Sequence, residues 1–222
     1  MIKLGGFTKS FVANTVGKKG GKGRMYNLDQ DTYLVGYAEV NQQAATPFTR
    51  TRVHKGFFAC DTGQVREGEL VEDRVDQKIY LVMSLKNEYL NDETVYLDGT
   101  LYYCDVTVTV QRFEGGTKDT FGRSITSAPV TLADGLYAMC APQNFSTMEQ
   151  PDRTVAQDKL AVYMQQTFRC TQASANHAVG DILSFKENDR LIASNGDTYV
   201  INSIDKASLV GIAILKVDTD VR

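Results

Sequence analysis

The chain has no tryptophan and, in 222 residues, only two histidines, four cysteines and four prolines. The cysteines, Cys60, Cys104, Cys140 and Cys170, are far apart and form no Cys-x-x-Cys. Zinc and dithiol sites draw on closely spaced pairs, and only His54 and His177 are present to help. The thiols therefore read as reduced and buried, with no metal and no cofactor. No apolar run approaches the roughly 18 residues of a membrane-spanning helix. The N-terminal stretch MIKLGGFTKSFVANTV lacks the continuous apolar core of a secretory signal. These absences predict a protein made and kept in the cytoplasm, without a membrane partner, unless it leaves inside a particle. There is no Gly-x-Ser-x-Gly elbow, no His-Glu-x-x-His and no Gly-x4-Gly-Lys-Ser/Thr loop. A net charge of −3 excludes a chain that seeks nucleic acid through its overall charge.

Positive charge is instead concentrated at one end. Residues 1–24 carry Lys3, Lys9, Lys18, Lys19, Lys22 and Arg24 and no acid. The stretch from Gly17 to Arg24 is too rich in glycine to bury a face, which predicts a flexible basic arm or an exposed loop. Lys18, Lys19, Lys22 and Arg24 are its candidate contacts. They suit either DNA phosphates or an acidic protein surface on which the arm becomes ordered. A solubilising end with no partner is the plain alternative.

From Phe48 onward the chain reads as β-structure. Phe48 to Cys60 mixes Thr, Val and Phe. In Lys78 to Leu85, Ile79, Leu81, Met83 and Leu85 alternate with Tyr80, Val82 and Ser84, the pattern of a strand covered on both faces. Asp98-Gly99 predicts a hairpin between Val95-Tyr96-Leu97 and a long strand from Leu101 to Phe113. On that strand Tyr102, Cys104, Val106, Val108 and Val110 share one face. Residues 114–128 read as a linker or exposed loop. Within Pro151 to Phe168, Asp152 is placed to cap a short helix that leads into a strand at Val162 to Cys170; alternation of Leu160, Val162 and Met164 as a strand is the other reading.

Two clusters invite chemistry. His54 and Cys60 are six apart, an even spacing that puts both on one strand face, the arrangement a Cys-His hydrolase would need. Phe57, Phe58 and Ala59 surround the cysteine with apolar groups, which favours the inert thiol. Glu67, Glu69, Glu72, Asp73 and Asp76 form an acidic run able to bind a hard cation. No Asp-x-Asp-x-Asp-Gly loop accompanies it, and the run reads first as a solvated face or as a surface toward a lumen or a basic neighbour.

The C-terminal block, Val179 to Val221, opens on Val-Gly-Asp, continues through Asp189-Arg190-Leu191-Ile192, and places Asn195-Gly196 before Tyr199-Val200-Ile201. It closes on Gly211-Ile-Ala-Ile-Leu215. Asn-Gly between β-rich runs predicts a hairpin with a type I′ turn, and the spacing predicts a small barrel. This order resembles the head-completion proteins of tailed bacteriophages, the stopper-like head–tail joining proteins of the neck. The resemblance implies a virion protein that forms a homo-oligomeric ring between the portal or its adaptor and the tail or tail terminator. It also implies retention of packaged DNA, with non-specific contact to the duplex. Tail terminator, baseplate-proximal ring component and capsid decoration protein are the neighbouring roles. An OB-type nucleic-acid module is the alternative of a different class, set against the apolar setting of the tyrosines and the acidic body.

An echo of the block lies upstream, where Asp73-Arg74 precedes Ile79 to Leu85 as Asp189-Arg190 precedes Thr198 to Ile204. Val106 to Val110 and Ile212 to Val217 follow as the next strands. Two related modules and convergent strand chemistry both account for it. The expected architecture is all-β: one or two small β-barrel modules with a short helix and long assembly loops. Residues 1–24 are its arm, 25–128 a first β-rich module and 129–222 a stopper-like barrel.

Overall fold

The computed structural model describes residues 21–25, 30–39, 52–59, 65–73, 77–90, 92–118, 124–126, 128–142 and 160–220. Lys18, Lys19, Cys60, Asp76 and the helix expected after Asp152 lie outside the described residues. In chain order the strands are β1 (Gly21–Met25), β2 (Gln30–Glu39), β3 (Val53–Ala59), β4 (Leu70–Asp73), β5 (Lys78–Leu90) and β6 (Glu93–Tyr103). There follow β7 (Val106–Arg112), β8 (Gly116–Lys118), β9 (Ser124–Thr126), β10 (Val130–Pro142) and β11 (Leu160–Gln165). The last are β12 (Thr167–Arg169), β13 (Ile182–Ser184), β14 (Arg190–Ala193), β15 (Thr198–Asp205) and β16 (Ile212–Thr219). The protein is all-β, built on small closed barrels.

The first barrel closes in the order β1-β2-β3-β6-β5-β4. Its core is Phe58, Val65, Val71, Tyr80, Val82 and Leu101, with Leu85, Leu97 and Tyr103 packed against it. The two-faced apolar pattern of β5 is explained by burial from Ile79 through Met83 on both sides of the strand. Asp98-Gly99 is not a turn. β6 runs through it, with Gly99 paired to Gly56 of β3 and Leu85 of β5. A Cβ on Gly99 would meet Phe58 Cε2 at 2.8 Å and Leu85 Cδ2 at 3.1 Å. The glycine makes room for the Phe58 ring inside the barrel, a use of strand glycine that resembles a turn signal in sequence. The hairpin lies instead where Leu90 pairs with Glu93, with Asp92 at φ 64°.

The second barrel closes in the order β7-β10-β11-β16-β15-β14. Its core includes Val108, Val110, Leu132, Met164, Leu191, Ile201 and Leu215. Two two-stranded sheets, β8-β9 and β12-β13, complete the described strands. β7 belongs here, not to the first module, which moves the division from 128/129 to Cys104/Asp105. The expected strand Leu101 to Phe113 is two strands. Cys104 N–H donates to Ile79 O at 2.9 Å in the first barrel, whereas Val106 pairs with Ala138 in the second. Apolar alternation continues across the break, so the sequence hides it. Residues 114–128 consequently connect two strands of one barrel and contain the β8-β9 hairpin. By compactness the chain divides into Met1–Cys104 with Leu209–Ile212, and Asp105–Ser208 with Ala213–Arg222.

Numbered by rank along the chain, each barrel has the same strand order, 1-2-3-6-5-4. The likeness extends to detail at the entry to the fourth strand. Gly68 (φ 83°) and Asn188 (φ 68°) occupy corresponding left-handed positions. Gly68 N–H donates to Val82 O (2.8 Å), Val82 N–H to Glu69 O (2.9 Å) and Glu69 N–H to Arg66 O (3.2 Å). Asn188 N–H donates to Ile201 O (2.8 Å), Ile201 N–H to Asp189 O (3.0 Å) and Asp189 N–H to Lys186 O (3.2 Å). In both barrels the fifth strand then has an irregularity, between Val82 and Ser84 and between Ile201 and Ser203. The upstream echo is thus correct in pairing Ile79–Leu85 with Thr198–Ile204, which are both fifth strands. It is incorrect in pairing Val106–Val110 with Ile212–Val217, which are a first and a sixth strand of one barrel.

Candidate functional site

The C-terminal block folds as β13 to β16, and Asp189, its buried acid, is bound by Arg112 of β7. Asp189 and Arg190 are not partners of each other. Asp189, 1% exposed, accepts from Arg112 Nε and Nη2 at 2.7 Å each and from Lys186 N–H at 2.8 Å. Arg112, 7% exposed, also donates through Nη2 to Ser184 O at 2.9 Å. Arg190 Nε instead lies 2.8 Å from Asp220 Oδ2. The buried fork-to-fork pair fixes the start of β14 against the end of β7. A bidentate guanidinium–carboxylate contact specifies geometry as well as attraction. Arg112 was not singled out from sequence, yet its signal is there: it continues the inward face of Val108 and Val110, where a charge needs a buried partner.

The hairpin at Asn195-Gly196 forms, with Leu191 opposite Tyr199. Its turn is not type I′. Ser194 and Asn195 keep negative φ and only Gly196 (φ 91°) is left-handed. Gly196 N–H donates to Ala193 O (2.9 Å) and Ala193 N–H to Asp197 O (2.8 Å), a three-residue loop closed by a glycine bulge. Asn195 Nδ2 and the Tyr199 hydroxyl both donate to Asp197 Oδ2, at 2.7 and 3.0 Å. Burial first, then the adjacent Asp197 carboxylate, pushes the Tyr199 phenol up to about 12. At the other end of β15, Asp205 is held below its ordinary value by hydrogen bonds from the Ser208 hydroxyl and from the Ser208 and Ala207 N–H groups.

The basic residues divide. Lys22 and Arg24 are in β1, so the arm's last residues form a barrel strand, because β1 is needed to close β2 onto β4. In register Arg24 lies between Asp31 and Glu72, and Lys22 lies opposite Tyr33.

Cys60, the nucleophile that the even spacing would set beside His54, lies outside the described residues, and the two histidines are described by their own contacts. His54 stacks edge-on to Tyr80, with centroids 5.4 Å apart. His177 Nε2 is 3.4 Å from Glu114 Oε1, and Asn176 Nδ2 donates to Glu114 Oε2 at 3.2 Å. The Ser174 hydroxyl accepts from the backbone N–H groups of Asn176 and His177, which uses it as a turn residue. Of the acidic run, Asp76 lies outside the described residues. Asp73 is buried in β4, and Glu67 Oε1 accepts Leu85 N–H at 2.9 Å. Among the described residues no group of three His, Cys, Asp or Glu side chains is placed to hold a metal ion. Among them too, no helix is long and apolar enough to cross a membrane. Among the described residues Cys104, Cys140 and Cys170 form no disulfide, and the first and last of them are buried.

The feature that sequence reading missed is an outgrowth of the first barrel. β5 and β6 extend to Leu90 and Glu93, whereas the equivalent β15 stops at Asp205 and is followed by a loop. Tyr89 is 62% and Leu90 39% exposed near its tip. Lys86 Nζ lies 2.6 Å from Glu88 Oε1, and this contact holds the ammonium above its ordinary value. The signal was Asn91-Asp92, residue types that tolerate the left-handed turn conformation.

No protein-family profile matches the chain, and neither the curated proteins nor the solved structures compared with it give a match.

Proposed function

We propose that the protein is a non-catalytic structural component of a tailed-phage neck, a ring that joins the portal or its adaptor to the tail and helps retain packaged DNA. One observation carries the reading. The block that resembles head-completion proteins supplies the last three strands of a closed barrel, and its characteristic residues serve turns and a buried ion pair instead of a reaction centre. Such a module presents a rigid body with loops, suited to repeated docking in a symmetric assembly. The barrels have six strands each, one more than the OB-fold's five, which weighs against the nucleic-acid module. Tail terminator, baseplate-proximal ring and capsid decoration are the neighbouring assignments. The protein would be made in the host cytoplasm and end in the virion.

In this reading the basic segment is a secondary contact. Lys18, Lys19, Lys22 and Arg24 approach the duplex or an acidic neighbour. The test is genetic. Infection with a phage unable to make the chain should yield filled heads that lose DNA, and separate tails that never join. Normal infectious particles from that infection would remove the neck role. Replacing Lys18, Lys19 and Lys22 by Glu should reduce joining; unchanged assembly would remove the basic segment from the account.

A further inference from the structure

The open edge of β5 points to self-association. β4 pairs with β5 only from Lys78 to Leu81, and Gly68 and Glu69 extend the contact to Val82. Beyond that point no strand pairs with this side of β5 among the described residues. Leu85 N–H faces this side, because it donates to the Glu67 carboxylate instead of to β6. Alternation then directs the backbone groups of Asn87 and Tyr89 outward on the same edge. Edge strands are usually protected by proline, by lysine or by bulges that turn them away; the irregularity between Glu88 and Tyr89 places its extra residue, Val95, on β6, so β5 runs without an inserted residue from Ser84 to Leu90. No proline occurs between Lys78 and Tyr103. The one lysine on this stretch, Lys86, is matched by Glu88 two residues on. The ribbon is also apolar near its tip, where Tyr89 and Leu90 are exposed, and the equivalent strand of the second barrel has no such extension.

We propose that β5 pairs antiparallel with β5 of a second copy of this chain about a two-fold axis at Asn87. That register is self-complementary. Lys86 lies opposite Glu88 of the second copy and Glu88 opposite its Lys86, at the close non-hydrogen-bonded positions where cross-strand charge pairs are strongest. Leu85 lies opposite Tyr89. The backbone bonds run between the two Asn87 residues and from Tyr89 N–H to Leu85 C=O, the Leu85 N–H being already taken by Glu67. Shifting the register so that Glu88 faces itself sets like charges together. The contact is isologous and closes on a dimer. It stands independently of the neck reading.

Sedimentation velocity of the full chain over a range of concentrations tests it, with a charge exchange as the control. The wild type should show a concentration-dependent monomer–dimer equilibrium. Lys86→Glu and Glu88→Lys should each weaken dimerisation by about tenfold or more. An equimolar mixture of the two variants should restore a dimer, since each then faces opposite charge. Asn87→Pro removes an outward N–H and should abolish the dimer while leaving the circular-dichroism spectrum that of the folded chain; its melting curve should lose any dependence on protein concentration. A wild type that stays monomeric throughout would overturn the proposal. So would a dimer or larger assembly unaffected by both reversals, or a mixture of folded variants that fails to associate.

Discussion

Arg112 and Asp189 show what a buried charge demands of its neighbours. Their fork leaves little of either side chain in water, so loss of one partner strands the other. Asp189→Ala is expected to cost about 3–5 kcal/mol, measured by urea denaturation of the full chain. Arg112→Met combined with Asp189→Leu should recover a large part of that loss, because no lone charge remains buried. At Gly99 the constraint is volume. Gly99→Ala should cost about 1–3 kcal/mol by overpacking against Phe58, and adding Phe58→Leu should recover part of it. Tyr199 supplies a pH dependence whose sign follows from its raised pKa. The neutral phenol is favoured in the folded state, so its contribution is complete below the ordinary tyrosine value of 10.0 and is lost as pH rises toward about 12. Ultraviolet titration should show one tyrosine ionising near the upper end of that window, and Tyr199→Phe should remove it and flatten the alkaline loss of stability.

At the scale of elements, alternation made the strands legible and glycine made the turns ambiguous. The hairpin at Asn195-Gly196 was readable because its flanking strands are β-rich, but its three-residue loop depends on hydrogen bonds from Gly196 and Ala193 that no dipeptide specifies. Asp98-Gly99 has the same local chemistry and lies mid-strand, since what decides it is the Phe58 ring on the neighbouring strand. The break at Cys104 was invisible because neither strand loses its apolar period there. The paired turns at Gly68 and Asn188 give a test at this scale. Both need a left-handed residue, which glycine supplies without strain and asparagine tolerates. Asn188→Gly should change stability by less than about 1 kcal/mol. Gly68→Asn should cost more than about 2 kcal/mol, because a Cβ there would lie 2.5 Å from Gly211 O. Thermal melts of the two variants check the asymmetry.

For the whole molecule, identical strand orders, matching turns and matching irregularities favour two related modules over convergent strand chemistry. The sequence carried that relation in the fifth strands, where Tyr80 and Tyr199, Val82 and Ile201, and Ser84 and Ser203 correspond. It was obscured elsewhere because the first barrel's fifth and sixth strands are longer and the second barrel has added hairpins. The buried cluster at Arg112 was similarly hidden, its two charges being separated by 77 residues. In the proposed neck reading the two barrels serve an assembly. The central claim is therefore one of place, and immunogold electron microscopy of intact particles tests it most directly. The account predicts label at a single vertex, between head and tail. Label spread over the shell, confined to the distal tail or absent from every particle would contradict it.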